Sequence, residues 1–128
     1  MNVKTMITGL ALSMLLSSGA ANADWGDVYY CKMTNFQEIS PEGELKRYKL
    51  ATFQFKLDRT KDAMVFGNKG FFKDDVMLLI EDKAWPNKER WFANDTYTNA
   101  FFANGKFLFS TALLHFGITI VSADCDKF

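Results

Sequence analysis

Histidine is the scarcest of the side chains that could do chemistry, since His115 is the only one in the 128 residues. A Ser-His-Asp or Cys-His arrangement needs a positioned base, and a zinc site needs several His or Cys ligands. His115 stands between Leu114 and Phe116 at the predicted turn between the last two strands, where an exposed hairpin residue is the ordinary interpretation. The sequence therefore predicts no catalytic histidine and no zinc.

Carboxylates are more numerous, but none falls in a pattern that specifies a site. Asp74-Asp75 and the pair Asp124 and Asp126 do not match the spacing of a calcium loop, and solvated turns account for both. The two carboxylates of a glycosidase would have to come from glutamates that lie near turns or among other charges. The glycines stand at hairpin positions rather than in a phosphate-binding loop. We therefore expect a protein that is not an enzyme and that has no metal or cofactor.

The start of the chain has the three zones of a secretory signal peptide over residues 1–23: Lys4, an apolar stretch and a run of small residues. The apolar stretch, about eleven residues long, is shorter than the roughly 20 that span a bilayer. We expect cleavage after Ala23 and a single exported domain over 24–128, periplasmic or extracellular, with no integral membrane segment. Without Lys4, the predicted domain has 14 basic and 15 acidic residues and so a net charge of −1 (14 − 15). A nearly neutral domain does not favour nucleic acid as a partner.

Cys31 and Cys125 are the only cysteines, and they lie near the two ends of the predicted domain. Two cysteines in an oxidising compartment are enough for one internal bridge. The bridge would close a loop of 95 residues (125 − 31 + 1), for which the chain-entropy model gives roughly 4–5 kcal/mol. A thiol nucleophile or metal ligand needs a basic or histidine neighbour, and His115 is ten residues away from Cys125. We therefore expect a disulfide.

Strand patterns dominate the predicted domain. The clearest is 51–58, where Ala51, Phe53, Phe55 and Leu57 alternate with polar residues, as in a strand with one dry face and one wet face.

Turn residues separate the other strand patterns. Asn104-Gly105 is the strongest hairpin signal. The glycines of 67–70 predict another hairpin, with Phe71 and Phe72 beginning the next strand, and 82–87 is the most loop-like stretch.

About eight strands with short connections predict an antiparallel meander. An open meander leaves two bare edges, and closure into a small barrel removes both, so we expect an all-β barrel. Cys31 and Cys125 fit this architecture, since closure makes the first and last strands neighbours. The alternative is a two-layer β-sandwich whose sheets the same cysteines staple.

Aromatic side chains are the remaining resource for function, and all 20 of them follow residue 23. Trp85, Arg90, Trp91 and Tyr97 fall within thirteen positions and form a candidate recognition surface of aromatic and arginine anchors. The competing interpretation is that these residues cap one end of the barrel.

The chain resembles the periplasmic inhibitors of c-type lysozyme in Tyr29-Tyr30-Cys31 near its start and Cys125 near its end. The resemblance implies a small exported barrel with those cysteines bridged. The serine- and arginine-containing inhibitory motif of that family has no counterpart, so its activity is not carried over. Lipocalin-like proteins share the antiparallel meander, but their early Gly-x-Trp is absent, because Trp25-Gly26 has the opposite order.

These observations predict a non-enzymatic exported binding or interaction module whose partner is an unknown protein or a small apolar ligand. The alternatives are a small-molecule carrier and an inhibitor of a periplasmic enzyme. Thirteen phenylalanines are enough to fill a barrel of this size, so an external surface is favoured over an internal cavity. A cavity of several hundred cubic ångströms would favour the carrier.

Overall fold

A computed structural model describes residues 23–80 and 90–128, and within these ranges the chain forms nine strands and no helix. The predicted signal peptide, apart from Ala23, and the predicted loop with Trp85 lie outside the described residues. The strands are β1 (Val28–Ile39), β2 (Leu45–Arg47), β3 (Thr52–Asp58), β4 (Ala63–Gly70), β5 (Val76–Ile80), β6 (Arg90–Asp95), β7 (Thr98–Ala103), β8 (Lys106–Leu113) and β9 (Gly117–Lys127).

Each strand from β3 to β9 pairs antiparallel with its neighbour along the chain, and β1 pairs with both β3 and β9. The last pairing closes an eight-stranded barrel, while the short β2 lies beside the end of β1 as an extra strand. The predicted barrel is therefore confirmed over the sandwich. No helix in the described part of the chain has the length and apolarity needed to cross a membrane.

The predicted disulfide is confirmed and joins the two strands that close the barrel. Cys31 and Cys125 are directly opposite residues of β1 and β9, with an S–S distance of 2.06 Å. Both side chains are buried, so the bridge lies inside the barrel.

The interior is filled by aromatic side chains. Phe107 is fully buried, and its ring centroid lies 4.9 to 6.1 Å from those of Phe53, Phe55, Phe66 and Phe72. Contacts of this kind stabilise a core beyond the area they bury. The alternation predicted for 51–58 is confirmed, since Phe53, Phe55 and Leu57 all face inward and are buried.

The turn predictions had mixed outcomes. Asn104 and Gly105 both have positive φ, as the predicted two-residue hairpin requires. The prediction at 67–70 was wrong: β4 continues to Gly70, and the turn is formed by the residues that follow it, including Phe71 and Phe72.

Gly70 and Phe72 explain why the turn lies after residue 70. Gly70 pairs with Phe53 across a bulge in the ladder, and a Cβ on Gly70 would lie 2.5 Å from the Thr52 carbonyl oxygen. Only glycine fits there, so it marks a close approach to β3 rather than a hairpin. Phe72 is buried against Phe53 and anchors the turn to the core.

Candidate functional site

A groove of about 540 Å³ lies on the outer face of β7, β8, β9 and β1. Eight of its ten lining residues alternate with inward-facing residues along these strands and so point away from the core. The other two, Phe109 and Val121, belong to the inner face. This concave surface is therefore outside the barrel.

Two rows of directly opposite residues cross the four strands and form the groove. The first row is Phe101, Leu108, Ser122 and Asn35, in the order β7, β8, β9 and β1. Side chains opposite each other in an antiparallel ladder share a face and touch, so this row is a continuous strip across the sheet. Its β7 and β8 members are apolar, and its β9 and β1 members are polar.

The second row is Asn99, Ser110, Ile120 and Gln37, in the same strand order. Its apolar member is Ile120 of β9, and the other three members have amide or hydroxyl side chains. Together the rows place Leu108 and Ile120 near the centre of the groove and surround them with uncharged polar groups.

Hydrogen bonds order the β1 and β9 side of the groove. The hydroxyls of Thr34 and Ser122 lie 2.7 Å apart. The Asn35 amide donates to the Ser122 hydroxyl at 3.4 Å, and the Gln37 amide donates to Asn35 at 3.3 Å. The side chains of Asn99 and Ser110, on the opposite side, make no hydrogen bond within the described residues, so they are available to a ligand.

A charged row borders the groove beyond the first of its two rows. Lys106 of β8 pairs with Asp124 of β9 in the ladder, and their side chains form an exposed ion pair. Lys32 of β1 is the next residue in this row. All charge on this side of the groove is therefore outside it, and none of the ten lining side chains is charged.

Of the predicted recognition residues, the three that the structure describes do not all lie on one face of the barrel. Trp91 is buried in the core, with its ring 5.0 Å from that of Trp25 in an edge-to-face arrangement. Arg90 is exposed, and strand alternation places it on the opposite face of β6 from Trp91. Tyr97 is 59% exposed, and Trp85 lies outside the described residues.

Tyr97 is a predicted residue that adjoins the groove. Its carbonyl accepts a hydrogen bond from the Ala112 N–H, which continues the β7–β8 ladder by one position. Tyr97 is thus an outward residue of the row that follows Asn99 and Ser110. The candidate site consists of the groove with Tyr97 near its border, and Trp91 supports the barrel from inside.

Sequence reasoning missed the groove, although β9 carried a signal for it. Ile118 and Ile120 alternate with Thr119 and Val121, so β9 has apolar residues on both faces. A strand with one wet face normally alternates apolar with polar residues, and a loss of that alternation indicates that the second face is also covered.

The described side chains with shifted pKa values lie outside the groove. Burial, with Asp27 beside the hydroxyl, raises the pKa of Tyr29 to about 12. A hydrogen bond from the Tyr48 hydroxyl to Glu38, 2.9 Å long, raises the pKa of Tyr48. Burial and the nearby carboxylates of Asp74 and Asp95 raise the pKa of Asp75. None of these groups lines the groove.

His115 is exposed in the turn between β8 and β9, as the sequence predicted. In the described part of the chain, no three His, Cys, Asp or Glu side chains come together in a way that could hold a metal ion.

The fold and site together define a small closed β-barrel with a filled interior and an uncharged groove on its outer face. Comparison of the chain with protein-family models, with curated proteins and with solved structures found no match in any of the three. The resemblances to lysozyme inhibitors and lipocalins therefore rest on the residues quoted above.

Proposed function

We propose that this protein is a non-enzymatic exported binding module that holds an uncharged, largely apolar partner group in its outer groove. One observation carries the proposal: the barrel is filled with its own aromatic side chains, while a groove of about 540 Å³ is open on its outer face. A volume of this size lies within the range of small-ligand sites.

The lining determines the chemistry that the groove accepts. Leu108 and Ile120 offer apolar surface at its centre, and burying such surface drives association. Asn99 and Ser110 supply groups that both donate and accept hydrogen bonds, which fix the orientation of a ligand. A charged ligand would lose its hydration without gaining an opposite charge, so the groove favours neutral partners.

The lining also argues for binding rather than catalysis. General acid–base and nucleophilic catalysis need a side chain that can give up or accept a proton near neutral pH or act as a nucleophile. The polar lining side chains are amides and two serines, and the single described histidine, His115, is absent from the lining. The serines have no base beside them within the described residues that line the groove.

A small-molecule carrier is the second candidate, favoured by the groove volume. A carrier that used the inside of the barrel is not favoured, because aromatic rings occupy that space. Solvent extraction of protein purified from its native compartment would separate the two: a stoichiometric small apolar molecule in the extract indicates a carrier, and an empty extract favours a macromolecular partner.

The groove is tested with Nile red, a neutral apolar dye whose fluorescence rises in apolar surroundings. Leu108→Arg places a charge in the centre of the groove and should weaken dye binding to dilute protein by about tenfold or more. Leu78→Arg is the matched control, because Leu78 is 60% exposed on the outer face of β5 and does not line the groove. Equal dye affinity in wild type and Leu108→Arg would overturn the proposal.

Both substitutions should leave the fold intact, since Leu108 is 53% exposed and Leu78 is also largely exposed. Thermal melts that coincide for wild type and the two variants would establish this before the dye titrations are compared.

A further inference from the structure

The turn between β8 and β9 presents an apolar tip. Leu114 is 88% exposed and Phe116 is 71% exposed, and both lie beyond the last ladder pair, Leu113 and Gly117. Large apolar side chains this exposed at a hairpin end serve no purpose in the core of their own chain, and exposed apolar patches mark interaction sites. We call Leu114, His115 and Phe116 the tip.

An apolar stripe lies between the tip and the groove. It runs across the strands through Leu45, Ile39, Ile118 and Ala112, which are directly opposite one another in β2, β1, β9 and β8, and ends at Tyr97. All five residues are exposed. The stripe is the next outward row after Asn99, Ser110, Ile120 and Gln37, so it adjoins the groove.

The spacing of these three features along β8 is symmetrical. The groove is centred between the rows of Leu108 and Ser110, about three residues before Ala112. The centre of the tip, His115, is three residues after Ala112. At roughly 3.3 Å per residue, groove and tip lie about 10 Å on either side of the stripe.

We propose that the groove is occupied by the tip of a second copy of this chain. A two-fold axis that runs along the stripe, across the strands, turns one copy face to face with the other and reverses the strand direction. Each tip then lies over the partner's groove, and the middle of each stripe, at Ile39, Ile118 and Ala112, lies on its own counterpart, as an isologous interface requires. The two ends of the stripe curve away with the barrel and stay outside the contact. This inference rests on the proposed function, because it uses the same groove.

Charge is compatible with self-association. No Asp, Glu, Lys or Arg is present in the tip or among the groove-lining residues, so no like charges meet when a tip enters a groove. The stripe is uncharged as well, and it can therefore contact its own copy. Amide and hydroxyl groups at the groove rim both donate and accept, and they can hydrogen-bond to the imidazole of His115 in the entering tip.

The exposed apolar area has the size of a specific interface. Six large side chains of the tip, the middle of the stripe and the groove are 39% to 88% exposed, and at about 150–200 Å² for a full side chain they present about 500–670 Å². Counted over both copies this is about 1,000–1,300 Å², and a specific protein–protein interface buries at least roughly 1,000 Å² in total. The six side chains are Leu114, Phe116, Ile39, Ile118, Leu108 and Ile120.

Sedimentation velocity over a range of protein concentrations tests the dimer. Wild type should sediment as a dimer at tens of micromolar, whereas Phe116→Asp in the tip and Leu108→Arg in the groove should each weaken dimerisation by about thirtyfold or more. The control Leu78→Arg should remain dimeric, since Leu78 lies on β5 outside all three features.

Mixing the two variants tests whether tip and groove contact each other. In a mixed dimer, the intact tip of Leu108→Arg enters the intact groove of Phe116→Asp, while the other contact brings the new aspartate to the new arginine. The mixture should therefore recover dimers that neither variant forms alone, and salt should weaken them. Two variants that stay monomeric when mixed would overturn the tip-in-groove contact.

Nile red separates failure of this inference from failure of the proposed function. If the tip competes for the groove, Phe116→Asp at tens of micromolar should bind the dye more tightly than wild type, and Leu108→Arg should bind it weakly. A wild type that is monomeric at every concentration, with dye binding lost only in Leu108→Arg, overturns the dimer and keeps the groove. Dye binding that none of the substitutions changes overturns both.

Discussion

The two faces of β8 differ in what they pack against, although both carry apolar residues. Phe107 points inward, is fully buried and touches four other aromatic rings, while its neighbour Leu108 points outward, is 53% exposed and lines the groove. Both faces of β9 also carry apolar residues, with Val121 inside and Ile120 outside. The inner face stabilises the barrel, and the outer face carries the groove that we propose binds a partner.

This contrast supports the proposal that a partner binds on the outer face of the barrel. An eight-stranded barrel has an interior just wide enough for its own side chains, and here phenylalanines occupy it. Apolar residues on the outer face contribute little to the core. Because they are exposed, burying them against a partner would stabilise a complex through the hydrophobic effect.

The largest difference between the faces is expected on truncation of neighbouring residues. Phe107→Ala should lower the free energy of unfolding by about 3–5 kcal/mol, because it removes a fully buried ring and leaves a cavity. Leu108→Ala, one residue later, should lower it by about 0.5 kcal/mol or less, as expected for an exposed site. Urea unfolding followed by tryptophan fluorescence measures both, and comparable losses in the two variants would contradict the separation of roles.

The disulfide joins two strands that contribute to both the core and the groove. Cys31 and Cys125 join β1 to β9 on the inside, and the outer faces of the same strands carry Asn35, Gln37 and Ile120 of the groove. The double variant Cys31→Ala/Cys125→Ala should lose about 2–4 kcal/mol of unfolding free energy, measured by urea unfolding.

Nile red affinity should stay at the wild-type value while that double variant remains folded, since the ladder between β1 and β9 has nine residue pairs besides the bridged one to hold the groove. A double variant that is folded but has lost the dye would show that the bridge shapes the groove as well as the barrel.

Much of the fold could be predicted because it depends on short-range patterns. Three predictions of this kind were confirmed: the alternation in β3, the Asn104-Gly105 turn and the disulfide. The first two are local patterns, and the third follows because the chain has only two cysteines, which can pair only with each other. Gly70 could not be interpreted correctly, because its requirement for glycine comes from the carbonyl of Thr52 on another strand.

The lining of the groove could not be predicted, although β9 hints at a covered outer face, because the lining depends on register between strands far apart in sequence. Asn35 meets Ser122 only after a shift in the β1–β9 ladder between Met33 and Asn35, and nothing local specifies that shift. The recognition residues illustrate the same limit: proximity in sequence grouped Arg90 with Trp91, while strand alternation separates them to opposite faces.

The smallest expected effect concerns the acidic turn region, which contrasts with the uncharged groove. Burial, with Asp74 and Asp95 nearby, raises the pKa of Asp75, so the folded state binds this proton more tightly than the unfolded state does. The associated stability is present below the ordinary pKa of an aspartate and is lost as pH rises through the raised folded value.

Asp75→Asn removes that loss and should raise the free energy of unfolding at pH 7 by about 0.5 kcal/mol or less, as for an exposed site. At pH 3 most of the gain should be gone, because Asp75 is then mostly neutral in both states. Thermal melts of wild type and Asp75→Asn from pH 3 to pH 7 measure the difference. The groove has no titrating side chain, so Nile red affinity should stay level over the same range while the protein is folded. A dye affinity that follows the stability curve would mean that charge near Asp75 reaches the groove and that the two regions are coupled.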